Sequence, residues 1–198
     1  MKRKFLIAFI AVFLAGSATM FAQETGVVIN GVKWATRNVD APGAFAEKPE
    51  SSGMFYQWNR KTAWAATGSI TGWDTTNPTG AIWEKSNDPS PVGWRVPTFE
   101  EIEKLLDKEI VNIEYANVNG VAGNRFTDKL TGNSIFIPIV GTRNYSDGTL
   151  EQLYNSGGYW SSTQKDNNGA SVLLFVLNQA LKGSGNRSSG LLVRCVAE

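Results

Sequence analysis

The chain of 198 residues contains no histidine and a single cysteine, Cys195. Without an imidazole there is no Ser-His-Asp or Cys-His relay, and the commonest ligand for zinc and iron is missing. One thiol cannot close an internal disulfide, so the folded part must be held by its core. No apolar run reaches the roughly 20 residues that cross a bilayer. The most apolar one, Phe5 to Leu14, is much shorter. No Gly-x-x-x-x-Gly-Lys-Ser/Thr segment is present to cradle a phosphate. The Gly-rich stretch Gly183-Ser184-Gly185-Asn186 reads as a loop between strands.

What the chain does have begins with Lys2-Arg3-Lys4, the apolar run Phe5 to Leu14, and the small residues Ala15-Gly16-Ser17-Ala18. Charged, apolar and small segments in that order predict a secretory signal, cut after Ala22 or Ala18. Leu14-Ala15-Gly16-Ser17 has serine where a lipoprotein box has cysteine, so no lipid anchor is expected. The expected division is a signal peptide at 1–22 and one domain at 23–198, placed in the periplasm, at the cell surface or outside the cell. Beyond the signal, sixteen cations face eighteen anions. That balance gives no general attraction to nucleic acid or to anionic lipid, and no membrane span is expected in the mature chain. Seven Trp and ten Phe supply the apolar volume for a core without disulfides.

Val27-Val28-Ile29 and Val32-Lys33-Trp34 flank Asn30-Gly31, a strong hairpin signal. Residues 35 to 93 mix aromatics with Gly, Asn, Pro, Ser and Thr and read mostly as loop, apart from a strand-like stretch at Met54 to Trp58. After Pro97 a helix is predicted over about 98–107. Thr98 and Glu101 form a capping box there, and Phe99, Ile102, Leu105 and Leu106 share one face. Ile135 to Val140, Val172 to Leu177 and Leu191 to Val196 read as strands, the first an edge or bulged strand because of Pro138. Antiparallel strands, one clear helix and long loops make the fold class α+β.

Five segments in order carry a resemblance: Asn30 to Val39, Asp88 to Thr98, Phe136-Ile137-Pro138, Gly158 to Thr163, and Val193-Arg194-Cys195-Val196. Together they resemble the Fibrobacter succinogenes major paralogous domain over nearly the whole mature chain. The resemblance implies an exported bacterial protein with a C-type lectin-like fold, related to that of the formylglycine-generating enzyme group, with its N- and C-terminal strands paired. It also implies a cysteine pair between the Asp-Pro-Cys-Pro and Arg-Cys-Val segments. Here Ser90 stands at the first of those positions, so Cys195 is expected to lie beside Ser90 as a small buried residue. Formylglycine-generating relatives need paired cysteines and iron-dependent relatives need histidines, so neither activity transfers.

Catalytic and metal-binding patterns are scarce. Glu100, Glu101 and Glu103 fall in a helix's first turn, where the dipole and the cap favour anions. Asp166-Asn167-Asn168-Gly169 lacks the alternating oxygen ligands of a calcium loop and reads as a turn. The calcium-dependent sugar motifs of C-type lectins are absent as well. No cofactor or metal is expected. The candidate ligand-binding residues are Trp64, Trp73, Asp74, Asn77 and Trp83, because an indole face beside amide and carboxylate groups suits a sugar ring. The same tryptophans have a second role open to them, as core that makes up for the missing disulfide. Trp34, Trp94 and Trp160 are expected in the core, and Arg95 and Arg194 are expected to satisfy loop carbonyls or carboxylates.

These features predict a non-catalytic exported binding or adhesion module for a glycan or a surface protein. The rivals are a structural subunit of a surface or fimbrial assembly and an enzyme using Asp and Glu alone.

Overall fold

The structure, a computed structural model, describes residues 24–151 and 156–198; the signal peptide expected at 1–22 lies outside the described residues. Asn30 and Gly31 take the positive φ values, 45° and 75°, that a two-residue hairpin turn requires. They join β1 (Val27–Ile29) to β2 (Val32–Trp34) in antiparallel register. The end of the chain returns to this hairpin. β14 (Val196–Ala197) pairs with β2 through Val196 and Trp34, and on its other side with β5 (Trp94–Arg95). The expected pairing of the two ends is therefore present.

Leu191 to Cys195 is less regular than expected. The run exchanges backbone hydrogen bonds with Tyr56, then with Gly158 and Trp160, then with Val39 and Ala35. Serving several partners in turn, it builds no long ladder of its own. Those bonds fasten it between β3 (Phe55–Tyr56), paired with β4 (Ala63–Trp64), and β11 (Gly157–Gln164). β11 continues into an antiparallel sheet with β12 (Gly169–Val176) and β13 (Gln179–Asn186).

Leu191 to Cys195, the first half of β11 and most of β12 are buried on both faces, which explains the apolar runs of the first and the last, whereas β13 is largely exposed. Side chains alternate across this central layer with the two-residue period of extended chain. Phe55, Tyr159, Leu173, Phe175 and Leu192 enter one core, where Ile29, Trp34, Ile102, Leu105, Phe126 and Ile137 meet them. Tyr56, Trp160, Val172, Val193 and Cys195 enter the other, with Val39, Trp58, Trp83 and Val96.

The glycines at 183 and 185 were expected in a loop and lie instead in β13. A Cβ on Gly183 would come within 2.9 Å of the Leu174 side chain, and one on Gly185 within 3.3 Å of Trp160. Neighbour-strand side chains fill the space that their own would take.

The helix α1 (Phe99–Leu105) packs against β11 and β12. Thr98 caps it: its hydroxyl accepts from Glu101 N–H at 3.3 Å while the Glu101 carboxylate accepts from Thr98 N–H at 2.8 Å. A further antiparallel sheet, β6 (Val111–Val118), β7 (Val121–Asp128) and β8 (Ser134–Pro138), closes the first core. β8 is an edge strand, as Pro138 demands. A small pair, β9 (Thr142–Arg143) and β10 (Leu150–Glu151), completes an α+β arrangement of small antiparallel sheets. Among the described residues, no helix is long and apolar enough to cross a membrane.

Candidate functional site

One built feature of the surface is organised by a single carboxylate. Asp88 accepts from Ser90 N–H at 2.8 Å and from Val96 N–H at 3.0 Å, drawing the two ends of an intervening loop together. Within that loop Trp94 N–H reaches Pro91 C=O at 3.0 Å, and Gly93 holds φ +81° at the turn position where only glycine is unstrained. Val92 stands at its tip, 102% exposed.

Around this loop is an open pocket of about 600 Å³ lined by Trp83, Trp94, Ser90, Thr98, Ser162 and Lys61, together with Lys85, Asp88, Arg95 and Glu198. Trp94 is half-buried. It meets Phe45 edge-on at 5.6 Å, and Gly26 lies beneath its ring, where a Cβ would approach to 2.6 Å. Trp94 was expected in the core; it is partly buried and packs against the second core, while its remaining surface lines the pocket.

The charges of the pocket are largely matched. Arg95 donates to both oxygens of Glu101, at 2.9 and 2.6 Å, which raises its own pKa, and Lys85 pairs with Glu198 at 2.9 Å. Partial burial works against ionisation of Glu101, but the Arg95 and Thr98 hydrogen bonds outweigh it and hold the carboxyl below its ordinary range. Behind the pocket Cys195 is fully buried and its thiol donates to Ser90 Oγ at 3.0 Å, so the two residues are neighbours as the resemblance implied. Burial pushes the Cys195 pKa up, which makes it an inert thiol.

The five candidate residues do not form one platform. Trp83 is only 7% exposed; it packs edge-on against Trp58 at 5.9 Å and spends its indole N–H on Asn87 C=O. Of the two roles open to it, Trp83 takes the core one, although its edge also lines the pocket. Trp64 and Trp73 do lie together, ring centroids 4.9 Å apart. Trp73 donates to Tyr145 C=O, however, and is pressed onto Gly148 and Gly190, while the Trp64 indole N–H is itself buried. Asp74 is bound by Thr76 and Arg60, and Asn77 reaches across to Asn168. Their polar groups hold loops to one another.

Asp88, Ser90, Ser162, Lys61 and Lys85 were not singled out as ligand residues. The signal was there in part: Asp88 to Thr98 is dense in turn-forming Pro and Gly around an aromatic, and such loops carry function more often than cores do. Arg194 behaves as expected, donating to Asn38 Oδ1 at 2.8 Å and Ala35 C=O at 3.2 Å. Asp166 caps its own turn through Asn168 and Gly169 N–H groups. Among the described residues, no cluster of three His, Cys, Asp or Glu side chains is placed to hold a metal ion.

Compared with protein-family models, curated proteins and solved structures, the chain finds no match.

Proposed function

We propose that this chain is an exported, non-catalytic binding module of C-type lectin-like build, related to the major paralogous domain family, and that its ligand is a glycan. The observation that carries the proposal is the pocket of about 600 Å³ that a partly exposed indole, Trp94, lines together with hydroxyl, ammonium and carboxylate groups. Its size suits one or two sugar rings, an apolar face beside a few polar groups being the general form of small-ligand sites. The paired ends, the long loops between Val39 and Gly93 and the order of the five resembling segments support the fold assignment. Export rests on the Lys2 to Ala22 segment.

The carboxylates lining the pocket favour binding over catalysis. Asp88 is engaged by two backbone N–H groups and Glu198 by Lys85, so neither is poised as the free base that an Asp/Glu mechanism needs. The test is a glycan array probed with the mature domain and with Trp94→Ala. Binding that the substitution removes, with the melting temperature retained, supports the proposal; a protein that binds no glycan overturns it.

A further inference from the structure

β6 is an edge strand of eight residues, paired with β7 on one side and with no strand on the other among the described residues. The two-residue turn Asn119-Gly120 sets the phase of its ladder, because Val118 and Val121 are the hydrogen-bonded pair that closes such a hairpin. Counting back from there, Ala116, Glu114 and Asn112 turn their backbone N–H and C=O toward β7. Ile113, Tyr115 and Asn117 turn theirs outward, and those groups have no partner among the described residues.

Other long edges of the fold are guarded. β13 carries Lys182, tied to Glu103 of α1 at 2.7 Å, β8 ends in Pro138, and the far side of β11 is taken by Leu192. β6 has no Lys, no Pro and no shift of register, and its one charge, Glu114, stands opposite Arg125 on β7. Tyr115 is 50% exposed; with Ile113, Ala180 and the partly exposed Leu181 it lines a shallow depression of about 280 Å³ beside the edge.

We infer that β6 is a homodimer interface, in which two copies of this chain pair β6 with β6, antiparallel about a two-fold axis at Tyr115. In that register Tyr115 meets Tyr115 and Ile113 meets Asn117, so every outward group is used in about six main-chain hydrogen bonds. Glu114 then faces Ala116, and Asn112 faces Val118. An axis at Glu114 sets like charges directly opposite each other, which is destabilising. Axes at Ile113 or Ala116 leave Asn117 or Ile113 outside the ladder. The strand is therefore complementary to itself in one register. A single strand pair buries less than the roughly 1,200 Å² of a stable interface, so the dimer is expected to be weak, with a dissociation constant on the order of 100 µM.

The experiment is sedimentation of the mature protein over a concentration series, with variants at the axis. Tyr115→Lys and Tyr115→Glu should each stay monomeric, since each places like charges face to face, and an equimolar mixture of the two should dimerise again. Both should melt close to the parent, because the side chain is exposed. Register is read by oxidation. Tyr115→Cys should cross-link to its twin, since directly paired Cα atoms lie about 5.5 Å apart, within the range of a disulfide. Asn117→Cys should not, because its twin lies about 13 Å away along the strands. The native Cys195 is buried and takes no part. A parent that stays monomeric at millimolar concentration overturns the inference and leaves the edge to a partner of different sequence. A dimer that persists in Tyr115→Lys, or one that cross-links through Asn117→Cys in preference to Tyr115→Cys, overturns it as well.

Discussion

The thiol of Cys195 donates to the hydroxyl of Ser90 across 3.0 Å, joining two positions that lie 105 residues apart in the chain. Ser90 belongs to the loop that walls the pocket, and Cys195 to the segment threaded through the second core. The contact ties the site to the fold, and it sets a serine hydroxyl where a second thiol would meet Cys195. Ser90→Cys is therefore expected to oxidise to a disulfide. In the chain-entropy model a loop of about 100 residues is worth up to about 4.7 kcal/mol, and engineered bonds commonly deliver less. Thiol titration and the melting temperature with and without reductant check it. Two thiols that stay free under air and copper would show that the Cα and Cβ geometry does not meet the requirement for bridging.

Arg143 is 1% exposed, and among the described residues no carboxylate pairs with it. Its guanidinium donates to the carbonyls of Ala65, Thr67, Gly68 and Gly148, so one side chain organises two loops. Lysine cannot span these acceptors, because its single ammonium lacks the planar fork. Arg143→Lys should cost about 3 kcal/mol, the sum of several buried carbonyls left unpaired or poorly paired. Chemical denaturation measures it directly. A loss under about 1 kcal/mol would mean that water replaces the guanidinium freely.

How far the sequence showed this arrangement depended on the range of the interactions involved. The Asn30-Gly31 hairpin and the Thr98 to Glu101 cap are made by residues within a few positions of one another, and both were legible. Asn119-Gly120 makes a second hairpin turn of the same kind between β6 and β7, with φ 51° and 86°. It was overlooked because Asn112, Glu114 and Asn117 break the apolar signal of β6. The third turn, Leu177-Asn178 at φ 50° and 67°, carries none of the usual glycine signature. Trp83 and Trp94 illustrate the limit more sharply. Local composition left the first open between surface and core and placed the second in the core; the first is buried and the second is only partly so, because burial was decided by Trp58 and by Gly26 many positions away.

Acid should destabilise the protein through a few identifiable carboxylates. Burial raises the Glu24 pKa, but hydrogen bonds from Thr36 and Arg37 outweigh it, so Glu24, like Glu101, is held below the ordinary value of 4.5. A carboxylate with a depressed native pKa takes up its proton more readily in the unfolded chain. It stabilises the fold above the unfolded value, and that contribution is lost as pH falls from about 4.5 through the native value. No histidine titrates between pH 5 and 8. The melting temperature is therefore expected to be flat from about pH 5.5 to 8 and to fall below about 4.5. Glu24→Gln should be less stable at pH 7 and show a shallower acid decline. A maximum near pH 6 with losses on both sides would contradict this account.

Trp83 and Trp94 lie on the same pocket but answer to different forces, and alanine substitutions should separate them. Trp83 is enclosed by the second core, in edge-on contact with Trp58, whose ring also lies 4.3 Å from the Arg187 guanidinium carbon. Removing its indole leaves a cavity that rigid neighbouring strands cannot fill, which typically costs about 3–5 kcal/mol. Trp94 is only partly buried, so its loss forfeits its contacts with Phe45, Gly26 and the edge of the second core but opens no enclosed cavity, and should cost less than Trp83→Ala, about 1–2 kcal/mol. Trp94→Ala should therefore melt close to the parent and lose its glycan. Trp83→Ala should melt far lower and, at temperatures where it stays folded, keep more of its affinity. Denaturation curves and titration of the same two proteins give both quantities. If Trp94→Ala proves the more destabilising of the pair, the rim position of its ring does not describe the protein in solution, and the binding role assigned to it falls as well.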